Sequence, residues 1–247
     1  GTVALAKEGS TVWALTGANT YSGATTISSG TLKVGNAGST GSLGTGNASV
    51  AAGATLAFDR SDSGLVVANA VSGSGGVVQI GSGTTSLTAA NTYSGTTRIT
   101  AGTLRIGNNA AAGSLGSGIV VNDAVLAFNR SDSYSVSNAI SGTGAVVKQA
   151  AGTLTLTGTS TYSGGTRLTA GTLIVGSDGA LGTGTLSFAT TGATLQTARN
   201  VLVPIDVTTS GSLSIVGGPV DLTARFSGGG TLTKTGTGTL TLSGTGS

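Results

Sequence analysis

The chain has 247 residues, enough for one large all-β domain or two smaller ones with a substantial core. It holds 45 Gly, 2 Pro and no Cys, Met or His, and charged residues make up only 8% of it. Its mean hydropathy of +0.31 is too apolar for a disordered segment. A net charge of +3, with eleven Lys and Arg scattered from Lys7 to Lys234, leaves no electrostatic footprint for nucleic acid, and without His there is no histidine-based serine hydrolase triad.

Absence of Cys suits passage through an oxidising compartment. The chain does not begin with Met, so residue 1 is expected not to be a natural start. No apolar run approaches the roughly 18 residues of a membrane helix, and no charged region followed by an apolar one marks a signal peptide.

The first clear element is "NTYSGATTISSGTLKVG" at 19–35. Within it Leu32 and Val34 share one face of an extended strand and Thr31 and Lys33 the other, which predicts one buried and one solvated face. "GSLGTG" follows at 41–46, "FDRSDS" at 58–63 and "NAVSGSG" at 69–75. All four then return: "NTYSGTTRITAGTLRIG" at 91–107, "GSLGSG" at 113–118, "FNRSDS" at 128–133 and "NAISGTG" at 138–144. "STYSGGTRLTAGTLIVG" at 160–176 and "GALGTG" at 179–184 open a third copy. Repeats of about 70 residues, with motif starts at 19, 91 and 160, therefore organise residues 1–247 as a single array. Residues 185–226, with "RNVLVPIDV", depart most from the pattern and are expected to hold a loop or an irregular coil.

No segment shows helical periodicity, and the copies exceed the roughly 40–50 residues of a propeller blade. The pattern predicts an all-β parallel β-solenoid of about ten coils, each of about 20–25 residues, because a coil that buries Leu and Val needs another above and below it. Ile27, Leu32, Val34 and Leu43 with their copies are expected inside, and Gly23, Gly95, Gly164, Gly30, Gly102 and Gly171 at corners with positive φ. Lys33 with Arg105, and Arg98 with Arg167, are expected to form a sparse basic column on one outer face, with spacings of about 14 Å that leave little collective charge.

The motif N-T-Y-S-G-x-T-x-I-x-x-G-T-L-x-V-G, together with "GGGTLTKTGTGTLTLSG" at 228–244, resembles the passenger-associated repeats of bacterial autotransporters. That resemblance covers nearly all of the chain. It implies a right-handed parallel β-helix, a fragment of a larger passenger domain, carried to the surface of a Gram-negative cell or secreted, with membrane contact only through a C-terminal β-barrel outside these residues.

Glycoside hydrolysis needs two carboxylates about 5–10 Å apart. Asp59 and Asp62 are the close pair, and Asn129 replaces Asp59 in the second copy. A carbohydrate-active enzyme on this pair is the alternative to a turn in which Asp and Ser satisfy local backbone. "GGVVQIGSG" at 75–83 has no phosphate-loop Lys, and the sequence suggests no cofactor and no metal site. Arg60 with Asp62, repeated as Arg130 with Asp132, is the recurring charged constellation: an exposed ion pair at a corner, or a polar epitope for a host or matrix protein or glycan. Tyr21, Tyr93 and Tyr162 are packing residues or a sugar-stacking platform. The leading reading is a non-catalytic stalk or adhesin segment, a spacer and interaction surface that could also pair with other copies of itself.

Overall fold

The computed structural model describes residues 2–188, 193–197, 201–203, 207–209, 213–217, 220–222, 225–229, 231–235 and 239–242. Among these residues there are 29 strands and no helix. The chain is all-β, with parallel sheets wound as a β-solenoid of about ten turns, and it divides into two compact units, residues 1–108 with 112–126, and 109–111 with 127–247.

The first unit has three sheets. One contains Leu5–Lys7, Thr25–Ile27, Ala48–Val50 and Val71–Ser72. A second contains Val12–Leu15, Thr31–Gly38, Thr55–Arg60, Gly76–Gln79, Thr97–Ile99 and Val120–Asn122. A third contains Leu65–Val67, Thr84–Leu87 and Thr103–Ala110. Leu5 lies beside Thr25 and Thr25 beside Ala48, so one circuit has the expected length. Ile27, Leu32, Val34, Leu43, Leu56 and Phe58 are buried, whereas Lys33 is only half-buried. This alternation is the strand period of two written against a single core.

The second unit repeats the design. Ser133–Val136, Thr153–Leu156, Thr172–Val175, Ala193–Thr197, Leu213–Gly217 and Leu232–Thr235 form one sheet, in which Leu154, Leu173 and Leu195 stand in register and are buried. Ala145–Gln149, Thr166–Leu168, Leu186–Phe188, Val207–Thr209 and Phe226–Ser227 belong to another, and Val201–Val203, Val220–Leu222 and Leu240–Leu242 to a third. Within 185–226, where a loop or irregular coil was expected, the described residues form seven strands from Leu186 to Ser227, and most of the residues between them, on which a loop would fall, lie outside the described residues. The strands' Gly-poor, Val-rich sequence hides the motif but keeps β-forming residues.

Sequence repeat and structural circuit are not commensurate. Gly76–Gln79 holds the place before the second NTYSG motif that Leu5–Lys7 holds before the first, yet it joins the second sheet of its unit instead of the first. Between them the chain returns to the first sheet at Thr25–Ile27, Ala48–Val50 and Val71–Ser72, so one repeat carries it round whole coils and then one face further. Thr31–Gly38 and its copy Thr103–Ala110 likewise sit in the second and third sheets. Lys33 and Arg105 therefore lie on different sheets, and the expected basic column on one outer face does not form from them.

The motif residues lock coil to coil. Asn19 donates from Nδ2 to the carbonyl of Ser42 at 2.7 Å and from its backbone N–H to Ser42 Oγ at 2.9 Å; Asn91 treats Ser114 in the same way. The Tyr21 hydroxyl meets Thr25 Oγ1 at 2.7 Å, and Tyr93 meets Thr97 at 2.8 Å. Each ring lies against a glycine of the next coil: a Cβ at Gly44 or Gly116 would stand 2.1 Å from the tyrosine carbonyl oxygen and 2.5 Å from the ring. This is why "GSLGTG" returns wherever "NTYSG" does. Gly30, Gly102 and Gly171 have the expected positive φ, at 66°, 60° and 72°. Gly23, Gly95 and Gly164 do not. There a Cβ would strike the backbone of the preceding coil, at 2.2 Å from Gly75 O in the case of Gly95, so those positions need glycine for space.

With this packing, Leu173→Ala should cost about 2–5 kcal/mol in urea melts and lower hydrogen-exchange protection in both flanking strands, Thr153–Leu156 and Ala193–Thr197; loss confined to its own strand would refute a shared column. Gly116→Ala should cost at least about 1–3 kcal/mol through overpacking, and Tyr93→Ala in the same chain should recover only the part due to the ring, because the clash with the residue-93 carbonyl oxygen remains; a double-mutant cycle measures that part.

Candidate functional site

The recurring Arg–Asp pair sits where a strand ends and the chain turns. In the first unit Arg60 closes Thr55–Arg60, and its guanidinium grips Asp62 in a two-pronged contact, Nε to Oδ1 and Nη2 to Oδ2, both 2.7 Å. Its Nη1 donates to the carbonyl of Gly41 at 2.9 Å, and Asp62 Oδ2 accepts from the Gly64 N–H at 3.0 Å. The side chains are 14% and 30% exposed, so the pair is half-buried and ties one corner to the coil before it, where an exposed ion pair was expected. Hydrogen bonding from Arg60 holds the Asp62 carboxyl below its ordinary range, with burial pulling the other way. In the second unit Arg130 grips Asp132 at 2.9 and 2.6 Å, lies 4.7 Å from the Tyr134 ring centre, and depresses the Asp132 carboxyl in the same way.

Asp59 and Asp62 are held by different cations. Asp59 is taken by Lys33 of the preceding coil at 2.9 Å, while Asp62 is taken by Arg60. A general acid for glycoside cleavage needs a raised pKa, and Asp62 is shifted the other way. Asn129, the copy of Asp59, donates to Gln149 Oε1 at 3.0 Å, which keeps the coil contact without the charge. Among the described residues no three His, Cys, Asp or Glu cluster as a metal site would require.

The tyrosines divide. Tyr93 and Tyr162 are 0% exposed, so neither can serve as a stacking platform for sugars or any other outer partner; burial also pushes the Tyr162 hydroxyl above its ordinary range. Tyr21 is half-buried. Two open clefts lie beside these residues in the first unit. One of about 320 Å³ is lined by Thr16, Gly17, Ala18, residues 39–42 and Arg60. The other, about 260 Å³, runs between residues 42–45 and 65–69 and exposes Val66.

Two interior lysines carry chemistry that the sequence reading passed over. Lys7 and Lys148 point inward and are 0% and 2% exposed. Lys7 Nζ donates to the carbonyls of Glu8, Gly9 and Ser29 at 2.8, 2.6 and 3.1 Å. Lys148 Nζ donates to those of Gln149, Ala150 and Ala170 at 2.6, 2.8 and 3.2 Å. Each ammonium thus caps carbonyls that a corner turns inward, and burial brings the Lys148 pKa down to about 8. The signal was present in "LAK" and "VVK", where Lys stands at the same parity as the inward Leu5 and Val146.

Comparison with known proteins agrees with this geometry. The passenger-associated-transport-repeat family matches residues 5–34, 77–106, 146–175 and 232–247. The third residue of each match is Lys7, Gln79, Lys148 and Lys234, so the inward corner position is part of the repeat. A stretch of 62 residues is 52% identical to the adhesin BmaC autotransporter of Brucella suis biovar 1 (strain 1330), covering 25% of this chain and 2% of that protein. The chain therefore aligns with a small fraction of that relative's length. No solved structure matches it. The four matches, spaced about 70 residues apart and covering less than half of the chain, make it similar to the passenger-associated transport repeats of autotransporter passenger domains.

Proposed function

We propose that the chain is a non-catalytic, adhesin-type segment of an autotransporter passenger, displayed on the bacterial surface or secreted, which acts as a rigid spacer and offers its outer faces to a host or matrix protein, a glycan or another copy of itself. The observation that carries this reading is how the charged groups are used. Asp59, Asp62, Asp123 and Asp132 are each held by a cation, Lys33, Arg60, Arg98 and Arg130; two of these pairs close a corner and two join coils. These four carboxylates are thus engaged in ion pairs that serve the fold. The similar Brucella suis protein is an adhesin, which supports the binding half of the proposal. The clefts beside Arg60 and Val66 are recesses in the first unit where an outer partner could bury surface.

The chain, immobilised, is passed over matrix proteins and glycans and in parallel incubated with polysaccharides. Binding without turnover supports the reading; turnover abolished by Asp62→Asn would replace it with a carbohydrate-active enzyme. The same variant has a second, structural signature. A carboxyl with a folded pKa below its unfolded value stabilises the fold above the unfolded value, near pH 4, and loses that contribution as pH falls through the folded one. Asp62→Asn should therefore cost up to about 1 kcal/mol at pH 7 and much less near pH 2, as read from urea midpoints at the two pH values.

A further inference from the structure

We propose that the interior corner formed by Gln79 and Thr85 binds a small monovalent cation beside the Gln79 amide oxygen, which supplies the charge that a lysine ammonium supplies in the first and third repeats. Equivalent positions of the repeats differ in charge. The first and third repeats place Lys7 and Lys148 at this corner, each with its ammonium on three carbonyls. The second places Gln79 there, 0% exposed, and its shorter side chain makes a different set of contacts. Its Nε2 donates to the carbonyls of Gly81 at 2.8 Å and Gly83 at 3.4 Å. Two carbonyl acceptors fix the orientation of the amide, because an amide oxygen turned toward them would face lone pairs. The Oε1 atom is thereby directed elsewhere, and it is buried with no hydrogen-bond partner among the described residues.

A second orphan lies at the matching position of the next strand. In the first repeat Lys7 Nζ stands 5.3 Å from the centre of the Trp13 ring; in the second, Thr85 holds the place of Trp13. Thr85 is 1% exposed, and its Oγ1 also has no partner among the described residues. The carbonyls of Ile80 and Ala101, which correspond to those of Glu8 and Ser29, receive no donor from the Gln79 side chain. Phe58 and Ile99 flank Gln79 in the ladder on either side, and both are fully buried, so the walls of the corner are apolar. The second repeat thus keeps inward-facing oxygens, has a smaller side chain in place of an indole, and lacks the charge its neighbours supply.

The donor set selects the ion. The two orphaned atoms are an amide oxygen and a hydroxyl, with no carboxylate beside them. Calcium and magnesium sites draw on carboxylates to offset a double charge, whereas one positive charge is what the equivalent corners already accommodate.

The experiment compares thermal unfolding midpoints of the 247-residue chain in potassium, sodium and ammonium chloride against choline chloride at equal ionic strength. At least one small cation should raise the midpoint by roughly 2–4 °C over choline, the shift expected of a ligand that stabilises only the folded state of a domain this size. Gln79→Lys supplies its own ammonium and should remove the difference between salts. Thr85→Val deletes one donor and should shrink it, which keeps the test open if Gln79→Lys does not fold. Crystals soaked in thallium(I) should show an anomalous peak within coordination distance of Gln79 Oε1 and Thr85 Oγ1. Equal midpoints in all four salts, or a water at the site with no anomalous signal, would overturn the proposal.

Discussion

Everything in this chain depends on one coil lying on the next. A circuit of about 20 residues cannot enclose its own Leu and Val, and its strands have no partners within the circuit; both needs are met by the neighbouring coil, through an apolar column inside and a parallel ladder along each sheet. The glycines show how close that approach is. A single carbon added at Gly44, Gly95 or Gly116 would stand 2.1 to 2.2 Å from a carbonyl oxygen of the coil before it. The abundance of glycine is thus a consequence of stacking distance as much as of turn geometry, and the motif residues Asn, Tyr and Ser fill the few places where a side chain fits between coils.

Corners are the second constraint. A chain that turns at every corner of its circuit must point some carbonyls inward, away from water, and an inward carbonyl without a donor is costly. The repeats answer with long polar side chains that enter the core: lysine at 7 and 148, glutamine at 79. A buried ammonium would ordinarily be disfavoured, but three acceptors around it turn a desolvated charge into a cap. The Arg60–Asp62 pair does comparable work from outside, since its third bond goes to Gly41 of the coil before it.

Strand faces were legible in the sequence because alternation in "GTLKVG" is a property of the string itself, whereas the period near 70 marks the repeat and not the circuit, which does not divide it evenly. The inward positions at Ile27, Leu32, Val34 and Leu43 follow from the alternation. The role of Gly23, Gly95 and Gly164 was not legible, since positive φ and lack of room select the same residue. Nor was the division of Asp59 from Asp62: adjacency along the chain suggested a pair, but the cation that claims Asp59 comes from Lys33, 26 residues earlier and one coil away. The strands at 186–227 keep β-forming composition and lose the motif, so the repeat pattern did not mark them. The candidate site fared least well, as the buried state of Tyr93 and Tyr162 depends on glycines that lie about a circuit further on.

The mismatch between repeat and circuit has an effect on how such an array would be seen by anything large. In the first unit, corresponding outer residues such as Lys33 and Arg105 fall on different sheets, so identical sequence is not presented to one side. A bulky molecule such as an antibody, recognising the repeated string, would find the next copy of its epitope turned away from the first. Two could then attach without colliding, but a single two-armed molecule would gain little from gripping neighbouring copies. A repeat length commensurate with the coil would give the reverse: a straight stripe that invites avid, cross-linking capture. With the offset, an array can lengthen by duplication without building such a stripe.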